Sequence, residues 1–465
     1  MSKAQGRTAS VSLRLVAALV TVNALWIVWA NRFLPLSDYP DYVYEGWILS
    51  QKMRGVQFKH YLIKHYAFTH AAVPLLCSLL NFVVSPETSA KIVLSLAIVM
   101  FVAGSAYMLG ACGATEHSQF FYIPLLYVFN SWFFWGEIDF YIGFVGFLFF
   151  AGYVLRRRDH PETVAPAIIL IALCLIFVAH LMAYLACLAV VAGILWAQPK
   201  GASSRAILWP SLASVSLLVW YVAGRIAGHQ LGGQQIYDPW TLRALAANFI
   251  DAFALFHIFL PWVNAHSSWM HAAGAINLIA ALGILGMLCA CPSTLFQKGS
   301  DNDAAPLWAI LLCIVAYGAG GRSIFGVFGA ERFGYPAAWL AMSWAAARWK
   351  PAGARALGIA MSLLLAIQIC ALNVQVRSAS SGLTTVYDKL KAAGSHSEFC
   401  SIYETYYKQT WAEPKRPGFE RFLPNHQNTV RLPYYLDIER GASAPIFDAG
   451  IFNYRGPGNP SELCQ

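Results

Sequence analysis

The stretch "SLRLVAALVTVNALWIVWANRFLPLSDYPDYVYEGWIL" (residues 12–49) sets the terms for the whole chain. Its first part, 12–30, is apolar apart from Arg14 and a few small polar residues, and a helix of about 20 such residues crosses the hydrocarbon of a bilayer. Its second part places Asp38 and Asp41 just past that exit. The prolines of "LPLSDYP" stiffen the approach, and "YVYEGWIL" continues as a helix carrying Tyr42, Tyr44 and Trp47. Rigid carboxylates lined by aromatics at a membrane surface are candidates for general-base chemistry on a polar acceptor, whereas in an arbitrary loop such carboxylates are simply hydrated.

Outward from this stretch, the same grammar repeats. Of 465 residues, 58% are hydrophobic and 12% charged, far below the quarter or so of charged residues in soluble proteins. Apolar runs fall at 12–30, 66–84, 92–111, 139–156, 165–179, 181–197, 206–223, 272–291, 305–320, 334–348 and 355–373. The expectation is an all-α polytopic membrane protein, a bundle of about eleven transmembrane helices. The net charge of +9 forms no single patch that would suit nucleic acid. It gathers at span ends, in "RRRDH" (156–160), "QPKGASSR" (198–205) and "ARWKPAGAR" (347–355), as topogenic charge facing the cytoplasm does.

With Lys3, Arg7 and Arg14 placing the N-terminus inside, and the first span read as a retained signal anchor, those clusters all fall inside and the C-terminal region falls outside. That count requires two apolar stretches not to cross. "QFFYIPLLYVFNSWFFWGEID" (119–139) is expected as a re-entrant or surface segment on the outer side. Within 241–262, Leu242, Leu245, Phe249, Phe253 and Phe256 share one helical face opposite Arg243, Asn248 and Asp251, so an interfacial helix is expected. Residues 31–65 become a large first outer loop. Residues 1–377 are thus read as the membrane domain and 378–465 as a small outer domain of mixed α/β structure, opening on the helix "SGLTTVYDKLKAAG".

Eight of the 10 cysteines sit in or beside apolar runs as small hydrophobes, but Cys400 and Cys464 lie in the polar C-terminal region, where an outer location would permit a disulfide. His60, His65 and His70 recur at a spacing that does not keep them on one helical face, and with His257, His266 and His271 they form no metal-binding pattern. His180, between two apolar runs, is either a functional polar residue within the membrane or a satisfied structural one.

"SDYPDYVYEGWIL", with Asp38 in the acidic position and Tyr42 after it, resembles the start of the outer loop in the GT-C glycosyltransferase superfamily, which includes the lipid A aminoarabinose transferase and protein mannosyltransferases. "THAAVPLLCSLLNFVVSPETSAKIVLSL" (69–96) looks like its second and third spans, and "IPLLYVFNSWFFWGEIDFYIGFVGFLFFAGYVLRRR" (123–158) like its second acidic segment, with Glu137 and Asp139. "GRSIFGVFGAERFGYPAAWL" (321–340) is similar to the loop in which an Arg precedes an aromatic and a proline. The resemblance spans about residues 10 to 375 and is one of architecture and loose motifs; the Trp-Trp-Asp signature of oligosaccharyltransferases is absent.

What the resemblance implies is a GT-C-like fold in the bacterial inner membrane and inverting transfer of a sugar from a polyprenyl-phosphate donor to a glycan, lipid or polymer acceptor. Asp38 would be the general base, with Asp41 as the competing aspartate. Arg332 and Arg322 would bind the donor phosphate, although the neighbouring Glu331 offers Arg332 a local partner. Tyr42, Glu137, Asp139, His70 and His180 are the substrate-side candidates; Asp139 also suits a divalent cation such as magnesium or manganese, or simply the N-terminal charge of the following span. The competing functions are a transporter or flippase of lipid-linked substrates, which repeated halves with charges inside broken spans would favour, and a surface-polysaccharide polymerase or ligase.

Overall fold

A computed structural model describes residues 3–36, 38–58, 61–63, 69–114, 119–158, 160, 163–197, 205–227, 246, 249–250, 252–256, 268–293, 304–319, 329–348, 354–395, 397–402, 434–436, 438–439 and 452–454. In chain order the helices are α1 (Lys3–Ala30), α2 (Tyr39–Met53), α3 (Ala72–Leu80), α4 (Pro86–Ala111), α5 (Tyr122–Leu126), α6 (Ser131–Trp135), α7 (Ile138–Arg156), α8 (Pro166–Ala179), α9 (Leu181–Ala197), α10 (Arg205–Ala227), α11 (Ser268–Ser293), α12 (Ala304–Ala319), α13 (Gly329–Arg348) and α14 (Ala354–Ala392). Two short strands, β1 (Tyr61–Ile63) and β2 (Phe452–Tyr454), pair antiparallel with Leu62 opposite Asn453.

Among the described residues, 6 helices are long and apolar enough to cross a bilayer: Leu13–Ala30, Pro86–Ala111, Ile138–Arg156, Arg205–Gly224, Ala272–Cys291 and Ala356–Ala392. Pro166–Ala179, Leu181–Ala197 and Ala304–Gly318 are apolar but shorter. The chain is therefore a multi-pass helical membrane protein by the length and composition of its helices. The finer expectation of about eleven spans meets two obstacles. The run 66–84 yields only the nine-residue Ala72–Leu80 among described residues, and α13 begins in the polar sequence GAERFGY.

Burial sorts these helices into a centre and a periphery. The apolar window of α7 is 78% buried within the protein, whereas those of α1, α10 and α14 are 22% buried and leave most of their surface for lipid. α7 packs on α4, α8 and α9, and α12 packs on α9 and α13. Small residues allow the close approaches that membrane helices use in place of hydrophobic exclusion. A Cβ on Gly193 of α9 would stand 2.6 Å from the Ala305 carbonyl oxygen of α12. Local start signals are ordinary ones: α4 opens with Ser85, whose hydroxyl accepts from the Thr88 amide at 3.3 Å, then Pro86 and Glu87 in the first turn.

Three expected segments take the following forms. Residues 119–139, expected as a re-entrant or surface segment, comprise a 3-10 turn (Gln119–Phe121) followed by α5 and α6, with Leu125, Phe133 and Phe134 buried. Much of 241–262 lies outside the described residues, but Ala252–Phe256 is buried in the protein instead of lying on a membrane surface, and helix ends at Ala252. Its irregular backbone is satisfied by side chains, as burial away from water demands. Tyr127, Ser131 and Tyr335 hydroxyls donate to the Phe253 and Ala252 carbonyls. Gln368 donates to the Leu255 carbonyl at 2.7 Å, and the Asn277 amide oxygen accepts from the Leu255 and Phe256 amides at 2.9 and 3.0 Å.

The third concerns the C-terminal region. The helix expected at 381–394 has no start of its own, because α14 runs unbroken for 39 residues from the last span to Ala392. The only sheet among the described residues joins this region to the first loop, strand β2 on strand β1. Tyr434 stacks on Tyr44 at 4.9 Å between ring centroids and Tyr435 tilts against Phe33 at 4.9 Å. The first loop and the C-terminal region therefore lie on the same side of the bundle. Cys400 is disulfide-bonded; Cys464 lies outside the described residues.

Candidate functional site

The site is built around a one-turn helix. Asn130 caps α6, its side-chain oxygen accepting from the Phe133 amide at 3.0 Å, and Gly136 closes it in the left-handed region at φ 72°. The Gly136 amide reaches the Phe133 carbonyl at 3.0 Å and the Glu137 amide the Trp132 carbonyl at 3.1 Å, the paired bonds of a Schellman turn. Directly after this turn come Glu137 and Asp139, at the start of the most buried span. Asp38 lies against the same turn: its amide donates to the Trp135 carbonyl at 2.9 Å. A Cβ on Gly136 would sit 2.6 Å from both the Asp38 and Tyr39 nitrogens, so glycine is required both by the backbone angle and by the closeness of the acidic loop.

Asp139 is 1% exposed and accepts from three directions. The Tyr42 hydroxyl bonds its Oδ1, which also takes the Phe140 amide at 3.0 Å, while His70 Nδ1 stands 2.5 Å from Oδ2. Burial first, and then the Asp139, Asp38 and Glu137 charges, hold the Tyr42 phenol well above its ordinary range, so it stays a proton donor. Glu137 pairs with Arg332 from α13, both side chains nearly buried. Burial pushes the Glu137 carboxyl up to about 7; the Arg332 guanidinium opposes this, and the Asp38 and Asp139 charges add to it. Arg332 also lies over the Trp132 and Phe140 rings, at 5.3 and 5.7 Å from their centroids.

His180 joins the cluster from the break between α8 and α9. Its Nδ1 accepts from the Met182 amide at 3.1 Å, which leaves the proton of a neutral ring on Nε2. Burial above all pushes its pKa well below the usual imidazole range, so the ring is neutral. It meets the His70 ring edge-on at 4.3 Å and Phe140 at 4.9 Å.

Seven sequence-nominated residues thus converge from five separate segments: Asp38, Tyr42, His70, Glu137, Asp139, His180 and Arg332. Asp41 is 9% exposed, and its charge, after burial and Glu87, helps to raise the Tyr435 phenol of the C-terminal region. Arg322 lies outside the described residues. Arg332 pairs with Glu137, 195 positions away in sequence; the side chain of the adjacent Glu331 lies outside the described residues. Sequence reasoning also missed the His70–Asp139 pairing, for which no local spacing gives a signal, and Trp132 beneath the guanidinium.

Among the described residues, no three His, Cys, Asp or Glu side chains are grouped to hold a metal. Both Asp139 oxygens are engaged by hydrogen bonds, and one Glu137 oxygen is engaged by Arg332. Chemically, the cluster offers one buried cation for an anionic ligand, a half-open carboxylate in Asp38, and an imidazole fixed by a buried carboxylate. No protein-family model matches the chain, and no curated protein or solved structure is significantly similar to it.

Proposed function

We propose that the protein is an integral-membrane glycosyltransferase of the bacterial inner membrane. It takes a sugar from a polyprenyl-phosphate donor and passes it to a glycan, lipid or polymer hydroxyl on the outer face. The observation that carries this reading is the meeting of the first-loop acid Asp38, the second acidic turn Glu137–Asp139 and Arg332 at one end of the most buried span. A single displacement fits this set: the donor phosphate is a good leaving group, needs a cation more than an acid, and departs opposite the incoming hydroxyl, which inverts the anomeric centre. Arg332 is the cation, borrowed from Glu137 when the donor binds. Asp38 is the carboxylate at the reacting centre.

The test is turnover by the purified protein in lipid nanodiscs, offered a panel of decaprenyl-phosphate pentoses and hexoses with water or short glycans as acceptors. Consumption of a panel member that disappears in Asp38→Asn and is strongly weakened in Arg332→Gln supports the assignment. Failure of decaprenyl phosphate to bind the wild-type protein, together with no consumption of any donor, refutes it.

A further inference from the structure

His70 is the one non-glycine residue with positive φ among those described, at 63°. Backbone of that kind is strained for a residue with a side chain and persists where the surroundings over-determine it, often at functional sites. Here the surroundings are visible. The next amide, Ala71, donates to the Val178 carbonyl at 3.0 Å, tying the turn to the end of α8. The ring itself is gripped twice, by Asp139 Oδ2 at Nδ1 and by the edge of the His180 ring. Asp139 is 1% exposed while the His70 side chain is 36% exposed, so a buried carboxylate holds a half-open imidazole.

We propose that His70, oriented by Asp139, is the group that takes the acceptor's proton; this rests on the transferase reading above and assigns a catalytic residue within it. An Nδ1–H donating to Asp139 fixes the tautomer and leaves the Nε2 lone pair as the base, the same division of labour by which a buried carboxylate serves a catalytic histidine elsewhere. Tyr42 and the Phe140 amide hold the carboxylate still by bonding its other oxygen. His180 supplies a neutral wall, its Nδ1 already spent on the Met182 amide.

In the step itself, the acceptor O–H gives its proton to His70 Nε2 as its oxygen bonds the anomeric carbon. The anomeric carbon–oxygen bond breaks with its electron pair going to the polyprenyl phosphate, whose charge Arg332 meets. The imidazolium, balanced by Asp139, then returns its proton to water. Asp38 is left facing the sugar, where its charge opposes the positive charge that builds at the anomeric carbon.

The test uses the full-length protein in nanodiscs with whichever decaprenyl-phosphate sugar the wild type consumes. His70→Gly keeps the left-handed backbone at no cost and opens a space the size of the ring; His70→Asn keeps an N–H toward Asp139 but has no base. Both variants should lose about 100- to 10,000-fold in kcat with the donor KM within a few-fold of wild type. Added imidazole should restore activity to His70→Gly but not to His70→Asn. Asp139→Asn should fall with them. If either His70 variant keeps kcat within about threefold of wild type, or imidazole rescues neither, the assignment of the base is wrong while the transferase reading stands. If the wild type consumes no donor, both fall together.

Discussion

Gly136→Ala isolates the contact on which the site is hung. The residue sits at φ 72°, and a Cβ there would lie 2.6 Å from two backbone nitrogens of the acidic loop, atoms that no rotamer change can move aside. Left-handed backbone costs a non-glycine residue about 1–2 kcal/mol. Relieving the overlap pushes the Asp38 backbone away from the turn and breaks its 2.9 Å bond to the Trp135 carbonyl, for about 1–3 kcal/mol more. The total of about 2–5 kcal/mol should lower the apparent Tm by roughly 4 °C or more. A shift of Asp38 by about 1 Å should cost about 100-fold in donor turnover. The stability half can be followed in detergent with a thiol-reactive dye, because Cys77, Cys112, Cys187, Cys291 and Cys313 are thiols outside any disulfide and are buried until the bundle opens. Gly110→Ala, where a Cβ would meet nothing within 4 Å, is the matched control and should be neutral or slightly stabilising. If Gly136→Ala unfolds and turns over like wild type, the acidic loop is not held by this turn.

The Glu137 carboxyl, held up at about 7, keeps its proton in the folded protein over a range where the unfolded chain, near 4.5, has lost it. Its contribution to stability is therefore greatest below about 4.5 and is lost as pH rises through 7, and Glu137→Gln should flatten that slope in a Tm-against-pH series. The same protonation releases Arg332, so sulfate affinity, read by Trp fluorescence, should rise between pH 8 and pH 6 in wild type and lose that dependence in Glu137→Gln. Asn277→Ala leaves the buried Leu255 and Phe256 amides and the Phe256 carbonyl without their partner, a loss of several kcal/mol at about 1–3 each, and should reduce the monodisperse fraction on size-exclusion chromatography. Alkylation of the denatured, unreduced protein should label eight cysteines, with Cys400 labelled only after reduction.

Much of the candidate site was legible because its residues are anomalies in an apolar chain. Asp38, Glu137, Asp139 and Arg332 stand out individually against greasy surroundings. Which of them touch was not legible: Arg332 and Glu137 are 195 positions apart, and Tyr42 and Asp139 are 97 apart. Sequence offered Arg332 to a donor phosphate, with the adjacent Glu331 as a local alternative partner, and ranked Asp38 over Asp41 by motif alone. The amphipathic pattern at 241–262 did not foretell the burial of Ala252–Phe256, because an apolar face looks the same whether it meets lipid or protein. Only the hydroxyls and amides that reach Ala252–Phe256 from four other segments distinguish the two.

The sequence by itself determined a helical chain with repeated bilayer-length apolar runs, and acids placed at their ends, because hydrophobic length and charge are properties of a segment alone. It could not determine that α7 is the centre and α1 the rim, since both read as equally apolar and only packing separates them. Nor could it find that a histidine in left-handed backbone pairs with a buried aspartate from another helix. That pairing exists because Asp139, sealed from water, needs partners, and the fold brings Tyr42 and His70 to it.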